Sequence, residues 1–246
     1  MSNYDARGII IKQSDYGEGH RMLSIFTEKD GIIKAVKYGA KSTKNRDSAS
    51  SQFLCYGDFS LYKGRGDVAT INSVTAIDSF FPLLSDIEKL SLCVYMADLT
   101  YSILGPNNPD ERLLRAFLNS VYALAYRDEA CKKVKAVYEL RLMSIGGYMP
   151  RLDICSCGKG GTICGFDAEG GTVVCTECKK SGTLPLHGGT YRAMHHICTC
   201  EEKKLLAFTG NDVLISELGT ISEKYALTHL EKNFPSLDYY KAVAQF

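Results

Sequence analysis

Tyr16-Gly17-Glu18-Gly19-His20-Arg21-Met22-Leu23-Ser24-Ile25-Phe26-Thr27-Glu28-Lys29-Asp30-Gly31-Ile32-Ile33-Lys34-Ala35-Val36-Lys37 reads as turn, strand, turn, strand. Met22–Thr27 and Ile32–Lys37 are rich in branched and aromatic side chains, which pack well on a pleated surface. The Asp-Gly pair between them is a strong hairpin signal. Upstream, Gly8-Ile9-Ile10-Ile11-Lys12 is a β-branched run ending near the Gly17–Gly19 turn. Downstream, Phe53–Tyr56, Phe59–Lys63 and a run near Val68–Val74 read as further short strands, the last after Gly64-Arg65-Gly66-Asp67. Five or six short strands in about 75 residues predict a small antiparallel barrel of the OB type.

From Phe81 the apolar period lengthens to that of a helix. Ser85-Asp86-Ile87-Glu88 has the spacing of a capping box. It opens a helix carrying Leu90, Val94, Leu99 and Leu104, which Gly105-Pro106 stops. Residues 110–128 repeat the pattern with Leu113, Leu114, Phe117, Leu118, Val121 and Leu124, and residues 129–145 repeat it until Gly146-Gly147. Helical character resumes around 189–199 and across 211–232, with Leu214, Leu218, Tyr225 and Leu230. Such stripes are bundle core. The expected class is α+β: an OB-type barrel over 1–80, then an α-helical domain over 81–246 that is interrupted at 151–184.

The interruption holds Cys155-Ser-Cys157-Gly158 and Cys175-Thr-Glu-Cys178 on either side of a glycine-rich stretch, Gly165–Val174, that reads as two short strands. Two close thiol pairs suit one tetrahedral metal ion, most plausibly zinc, each pair gripping it from a tight turn. Four thiolates close the coordination sphere, so the zinc is expected to be structural. The first pair is one residue shorter than the usual two-residue spacer, and Cys164 nearby competes for a ligand place. Its plainer reading is a small hydrophobe starting a strand. A disulfide cluster would need an oxidising compartment, and Met1–Gly8 has no apolar export segment, so a cytoplasmic chain is expected. His195-His196 with Cys198 and Cys200 raises a second metal site, although these residues fall in a helical run and point different ways. Cys55, Cys93 and Cys131 lie in apolar-periodic segments and read as core.

Twenty-nine Lys and Arg stand against 28 Asp and Glu, so bulk charge does not announce a nucleic-acid binder. Any such surface must be local. The run Lys37 to Arg46 holds Lys37, Lys41, Lys44 and Arg46 with Tyr38 and no acid. That composition suits a phosphate-gripping loop beside a β surface, and a merely solvated basic loop is its plain alternative. Arg21, Lys63 and Arg65 lie in other turns that can converge with it. Tyr16, Tyr38, Tyr56, Phe59 and Tyr62 are candidate stacking platforms, though some must fill the interior. No run of eighteen apolar residues suggests a membrane span. Neither a phosphate-binding GxxxxGK[ST] nor an HExxH zinc motif occurs, no nucleophile has a partner, and the chain is expected not to be an enzyme.

Taken in order, Tyr16–Gly31, Ala35-Val36-Lys37-Tyr38-Gly39-Ala40-Lys41 and Leu61–Gly66 resemble the RecO family of bacterial recombination mediators. Tyr138–Met143, Gly147-Tyr148-Met149-Pro150, Leu152-Asp153 and the cysteine pairs extend the resemblance over nearly the whole chain. It implies an OB domain, a helical domain with an inserted zinc ribbon, and a nucleoid-associated role in recombinational repair. Such proteins bind single- and double-stranded DNA and anneal complementary strands. With RecR, and in some pathways RecF, they help load RecA onto strands coated by single-strand-binding protein, whose acidic C-terminal tail they bind. By motif, Arg21, Lys37, Lys41, Lys63 and Arg65 become DNA-surface residues, while Lys44 and Arg46 rest on charge alone. Cys155, Cys157, Cys175 and Cys178 become the zinc ligands. Many relatives carry C-x-x-C-G where this chain has Cys155-Ser-Cys157-Gly158, and many others lack the cysteines, which argues against a functional metal centre. A cationic rim for the acidic tail would draw on Lys132, Lys133, Lys135 and Arg141. The alternative is a protein–protein adaptor for single-strand-binding protein and RecR with weak DNA binding of its own; a metal-dependent hydrolase would need an open metal position.

Overall fold

The computed structural model describes residues 2–40, 51–104 and 108–244. Its chain divides into two compact units, Met1–Leu114 and Arg115–Phe246. In the first, β1 (Ser2–Tyr16), β2 (His20–Thr27), β3 (Gly31–Lys37), β4 (Tyr56–Lys63) and β5 (Ala69–Asp78) close into a barrel of order β1-β2-β3-β5-β4. β1 is long because it pairs with two neighbours: Gly8–Tyr16 with β2, through an irregularity at Ile10/Lys12, and Ser2–Ile9 with β4. The β3–β5 pair is parallel, through Ala35↔Ala69 and Val36↔Thr70. This is the OB arrangement that the hairpin signals predict.

Alternate residues fill the barrel: Ile10, Leu23, Ile25, Ile33, Ala35, Phe59, Leu61 and Ile71 form one buried cluster. The β2–β3 turn is held by Thr27, whose hydroxyl donates to Gly31 O (2.9 Å) and accepts from Asp30 N (3.1 Å). Gly31 has φ 67°, the left-handed conformation that glycine adopts without penalty. α1 (Ile87–Ile103) packs against β1, and Lys12 Nζ lies 5.4 Å from the Tyr101 ring centroid.

Three local expectations change. Phe53–Tyr56 is not a strand: only Tyr56 belongs to β4, and Leu54 has φ 68°. Its backbone still serves the barrel, as Leu54 N donates to Ile10 O and Ile10 N to Cys55 O, with both side chains buried. A short apolar run cannot by periodicity tell a buried turn from a strand. The cap of α1 is Asp86, whose carboxylate accepts from Lys89 N (3.0 Å), while Ser85 ends a 3₁₀ turn, Phe81–Ser85. Val94 faces solvent, the packed side being Leu92, Cys93, Tyr95, Met96 and Leu99. Gly105-Pro106 lies outside the described residues.

α2 (Glu111–Tyr126) leads into the second unit, followed by α3 (Cys131–Ile145), β6 (Ile163–Asp167), β7 (Thr172–Cys175), β8 (Leu184–Pro185), α4 (Gly188–Thr199) and α5 (Asp212–Leu230). Pro235, ready-made for a first helical turn, starts a helix no periodicity announced, α6 (Pro235–Val243). α3 is the centre. Every residue from Val134 to Ser144 is buried, including Lys135, Glu139 and Arg141. Lys135 Nζ lies 2.8 Å from carboxylate oxygens of both Glu139 and Glu223, Ser222 Oγ donates to Glu139 (2.7 Å), and Lys241 completes the network from α6. Burial pushes the Glu223 carboxyl up, but Lys135 and Lys241 outweigh it and leave it below its ordinary value. Among the described residues no helix is long and apolar enough to cross a membrane.

Gly8 and Gly57 face each other across β1 and β4, and a Cβ on either would stand 2.4 Å from a backbone oxygen, Phe26 O or Thr75 O. Gly57→Ala should therefore cost about 1–3 kcal/mol in a denaturant titration; an unchanged midpoint would mean the strands can part. Lys135→Met, which strips Glu139 of its buried cation, should cost about 3–5 kcal/mol by the same measurement.

Candidate metal centre and nucleic-acid surface

The sulfurs of Cys155, Cys157, Cys175 and Cys178 all lie within 4.8 Å of one another. Each pair sits on a tight turn, closed by Gly158 N→Cys155 O (2.9 Å) and Cys178 N→Cys175 O (3.1 Å). Gly158 follows the first pair with φ 69°, which lets the shortened spacer turn back. A tetrahedral zinc with Zn–S of about 2.3 Å holds its sulfurs about 3.8 Å apart, and Cys157 Sγ to Cys175 Sγ measures 3.8 Å. The donor set and its size fit a metal ion.

Backbone N–H groups of Cys157 and Cys175 point at the Cys155 sulfur and bring its pKa down to about 6. Cys178 packs against the sulfurs of Cys157, Cys175 and Cys155, and its thiol is pushed up to about 12. One thiolate, Cys155, thus forms readily while Cys178 resists a further negative charge; a divalent cation removes that resistance. Cys164 stands on β6 outside the group, its carbonyl accepting from Leu186 N (3.2 Å). The Cys198/Cys200 region forms no second cluster among the described residues. Burial pushes the Cys198 thiol up to about 12, and His196 Nε2 lies 2.9 Å from Lys204 O.

The three-stranded ribbon, β7-β6-β8, is fastened to helices. Tyr225 Oη donates to Tyr148 O (2.9 Å), Tyr191 Oη to Leu152 O (2.9 Å), and His229 Nε2 meets Ala168 O (2.9 Å). Gly171 has φ 59°, and a Cβ there would lie 3.1 Å from Tyr225 Oη.

On the barrel, one hydrogen-bonded row runs Met22↔Val36, Val36↔Thr70, Thr70↔Tyr62, Tyr62↔Asn3. Arg21 and Lys37 are register partners one residue from that row, and Lys63 stands one residue from it on β4. Lys63 lies on the opposite side of the row from Arg21 and Lys37, so the register pairs Arg21 with Lys37 and leaves Lys63 apart. Lys37, however, is buried, and its ammonium donates to Asn72 O (3.2 Å), so its charge is directed into the barrel wall. Arg21 is half-buried; Lys63 and Arg65 are exposed. Lys41, Lys44 and Arg46 lie outside the described residues. Tyr16, Tyr38 and Tyr62 are exposed, whereas Phe59 is interior and Tyr56 half-buried. His20 Nδ1 accepts from Gly39 N (3.1 Å), and its ring meets Tyr38 edge-on at 4.9 Å.

The cationic rim expected on the bundle does not survive. Lys135 is committed to Glu139 and Glu223. Arg141 donates to Ile197 O, Cys198 O and Cys200 O and pairs with Glu202 at 2.6 Å. Lys133 is held by Glu129 and Leu206 O, and Lys132 alone of the four is exposed. Spacing could not reveal this, because it depends on α3 being enclosed on all sides. Sequence reasoning also passed over two exposed tyrosines, Tyr122 and Tyr126, on α2.

The family model for the recombination protein O N-terminal domain matches residues 1–80, and that for its C-terminal domain matches residues 84–238. The chain belongs to the recombination protein O family. It is similar to a protein of Acetivibrio thermocellus named DNA repair protein RecO, 33% identical over 99% of this chain and 98% of that one. Proteins of the same name from Desulfitobacterium hafniense (30%, covering 96% and 88%) and Clostridium perfringens (28%, covering 100% of each) are similar too.

Elemental analysis should find one tightly held metal ion per chain. Cys175→Ser should lose it and Cys164→Ser should keep it. The opposite pattern would move the ligand place to Cys164.

Proposed function

We propose that this chain is a recombinational DNA repair mediator. It binds single- and double-stranded DNA and anneals complementary strands. With RecR, and in some settings RecF, it helps load RecA onto DNA coated by single-strand-binding protein. The observation that carries the reading is an OB-type barrel, in a chain of the recombination protein O family, that bears Arg21, exposed Lys63 and Arg65, and exposed tyrosines. Such barrels combine cationic grooves with stacking faces for single strands. Arg21, Lys63 and Arg65 contact phosphate, joined by Lys41, Lys44 and Arg46; Lys37 serves the barrel wall first. Cys155, Cys157, Cys175 and Cys178 hold one zinc ion that stabilises the ribbon and takes no part in chemistry.

A second reading, an adaptor for single-strand-binding protein and RecR with feeble DNA contact, draws on the near-neutral charge and the burial of Lys37. Annealing of complementary oligonucleotides coated with single-strand-binding protein, across a salt series, separates the two. The mediator accelerates annealing, and the acceleration fades with salt; the adaptor binds the coating protein without accelerating. In the mediator, replacing Arg21, Lys63 and Arg65 by Ala should lower the salt slope of single-strand binding by about two. An unchanged slope would move the DNA surface elsewhere.

A further inference from the structure

We infer that the outward face of α2 is a stacking surface for single-stranded nucleic acid, in addition to the barrel; this rests on the DNA-binding reading above. Tyr122 and Tyr126 are each 45% exposed. Their rings lie 5.1 Å apart, tilted by 55°, and the Arg127 guanidinium stands 5.4 Å from the Tyr122 ring centroid. Packing does not require these tyrosines outside, because the opposite face already buries Phe117, Val121 and Leu124.

Arg115, exposed, precedes Tyr122 by seven residues and Tyr126 by eleven, so the three share one helix face. Asn119 between them donates to Glu202 O (3.1 Å), which brings the Glu202–Lys204 turn alongside with Lys203 and Lys204 exposed. The Glu202 carboxylate is engaged by Arg141. The cations Arg115, Arg127, Lys203 and Lys204 stand among the acids Glu111, Asp128, Glu129 and Glu201, of which Glu129 is engaged by Lys133. The cation nearest the rings is Arg127, over Tyr122. Exposed rings flanked by cations match unpaired bases on a phosphate backbone, since each base offers a π face and each phosphate a charge. A duplex hides those faces in its own stack, and an acidic peptide would use the cations and leave the rings idle.

The test is equilibrium binding of the full chain to a fluorescent oligo-dT strand and to an abasic strand of equal length. Tyr122→Ala/Tyr126→Ala should bind oligo-dT about ten-fold more weakly, with an unchanged salt slope because no phosphate contact is lost. Tyr122→Leu/Tyr126→Leu, which keeps apolar bulk and therefore the fold, should lose as much, and the double Phe variant should bind like the parent. On the abasic strand all four proteins should bind alike. Full affinity in the Leu variant would overturn the inference. So would an equal loss on the abasic strand, which would mark a merely cationic surface for acidic chains. A parent chain that binds neither strand would instead overturn the DNA-binding reading itself.

Discussion

Charge inside α3 is the constraint on which the second unit depends. Eleven consecutive residues, Val134–Ser144, are buried, yet three of them, Lys135, Glu139 and Arg141, are charged. Burying such groups costs several kcal/mol each unless every one is met by an opposite charge or a dipole. The neighbouring elements are placed to meet them. Glu223 on α5 and Lys241 on α6 close the circuit begun by Lys135 and Glu139. Arg141 reaches Ile197, Cys198 and Cys200, whose carbonyls lie at the end of α4 where helical partners run out. A cation there also opposes the negative end of the helix dipole. The side chains that look like a cationic surface in the sequence are therefore the internal ties of the bundle.

The ribbon obeys a different economy. It is too small to bury much apolar surface, and its four sulfurs offer one metal ion instead. Its outer end gathers four thiols that could hold a metal ion, and its inner end is tied by hydrogen bonds from Tyr225, Tyr191 and His229. Losing the metal would loosen the turns around the cysteines while the Phe166–Tyr225 contact, 5.5 Å between rings, still anchors the base.

The barrel turns a nearly neutral chain into one with local polarity. Lys37 satisfies a carbonyl and Arg7 is held by Asp58 at 2.7 Å, so two of its cations are already engaged. Where cations and acids nearly balance, aromatic faces matter more, and the exposed tyrosines of the barrel and of α2 acquire their interest from that balance.

Strand periodicity, the Asp30-Gly31 turn and the cysteine spacing made the α+β class, the barrel and the thiol cluster legible without coordinates, because each depends on residues close in sequence. What stayed hidden depends on distant partners. Leu54 looks like strand until Ile10 claims its backbone, Lys37 looks like a phosphate ligand until Asn72 claims its ammonium, and Arg141 looks exposed until α4 ends beside it. Whether a polar group faces water is decided by elements far along the chain. The sequence by itself determined the barrel hairpin, the longer helices and which thiols gather; only the tertiary structure decided the buried turn at Leu54 and which charges are committed inside the fold.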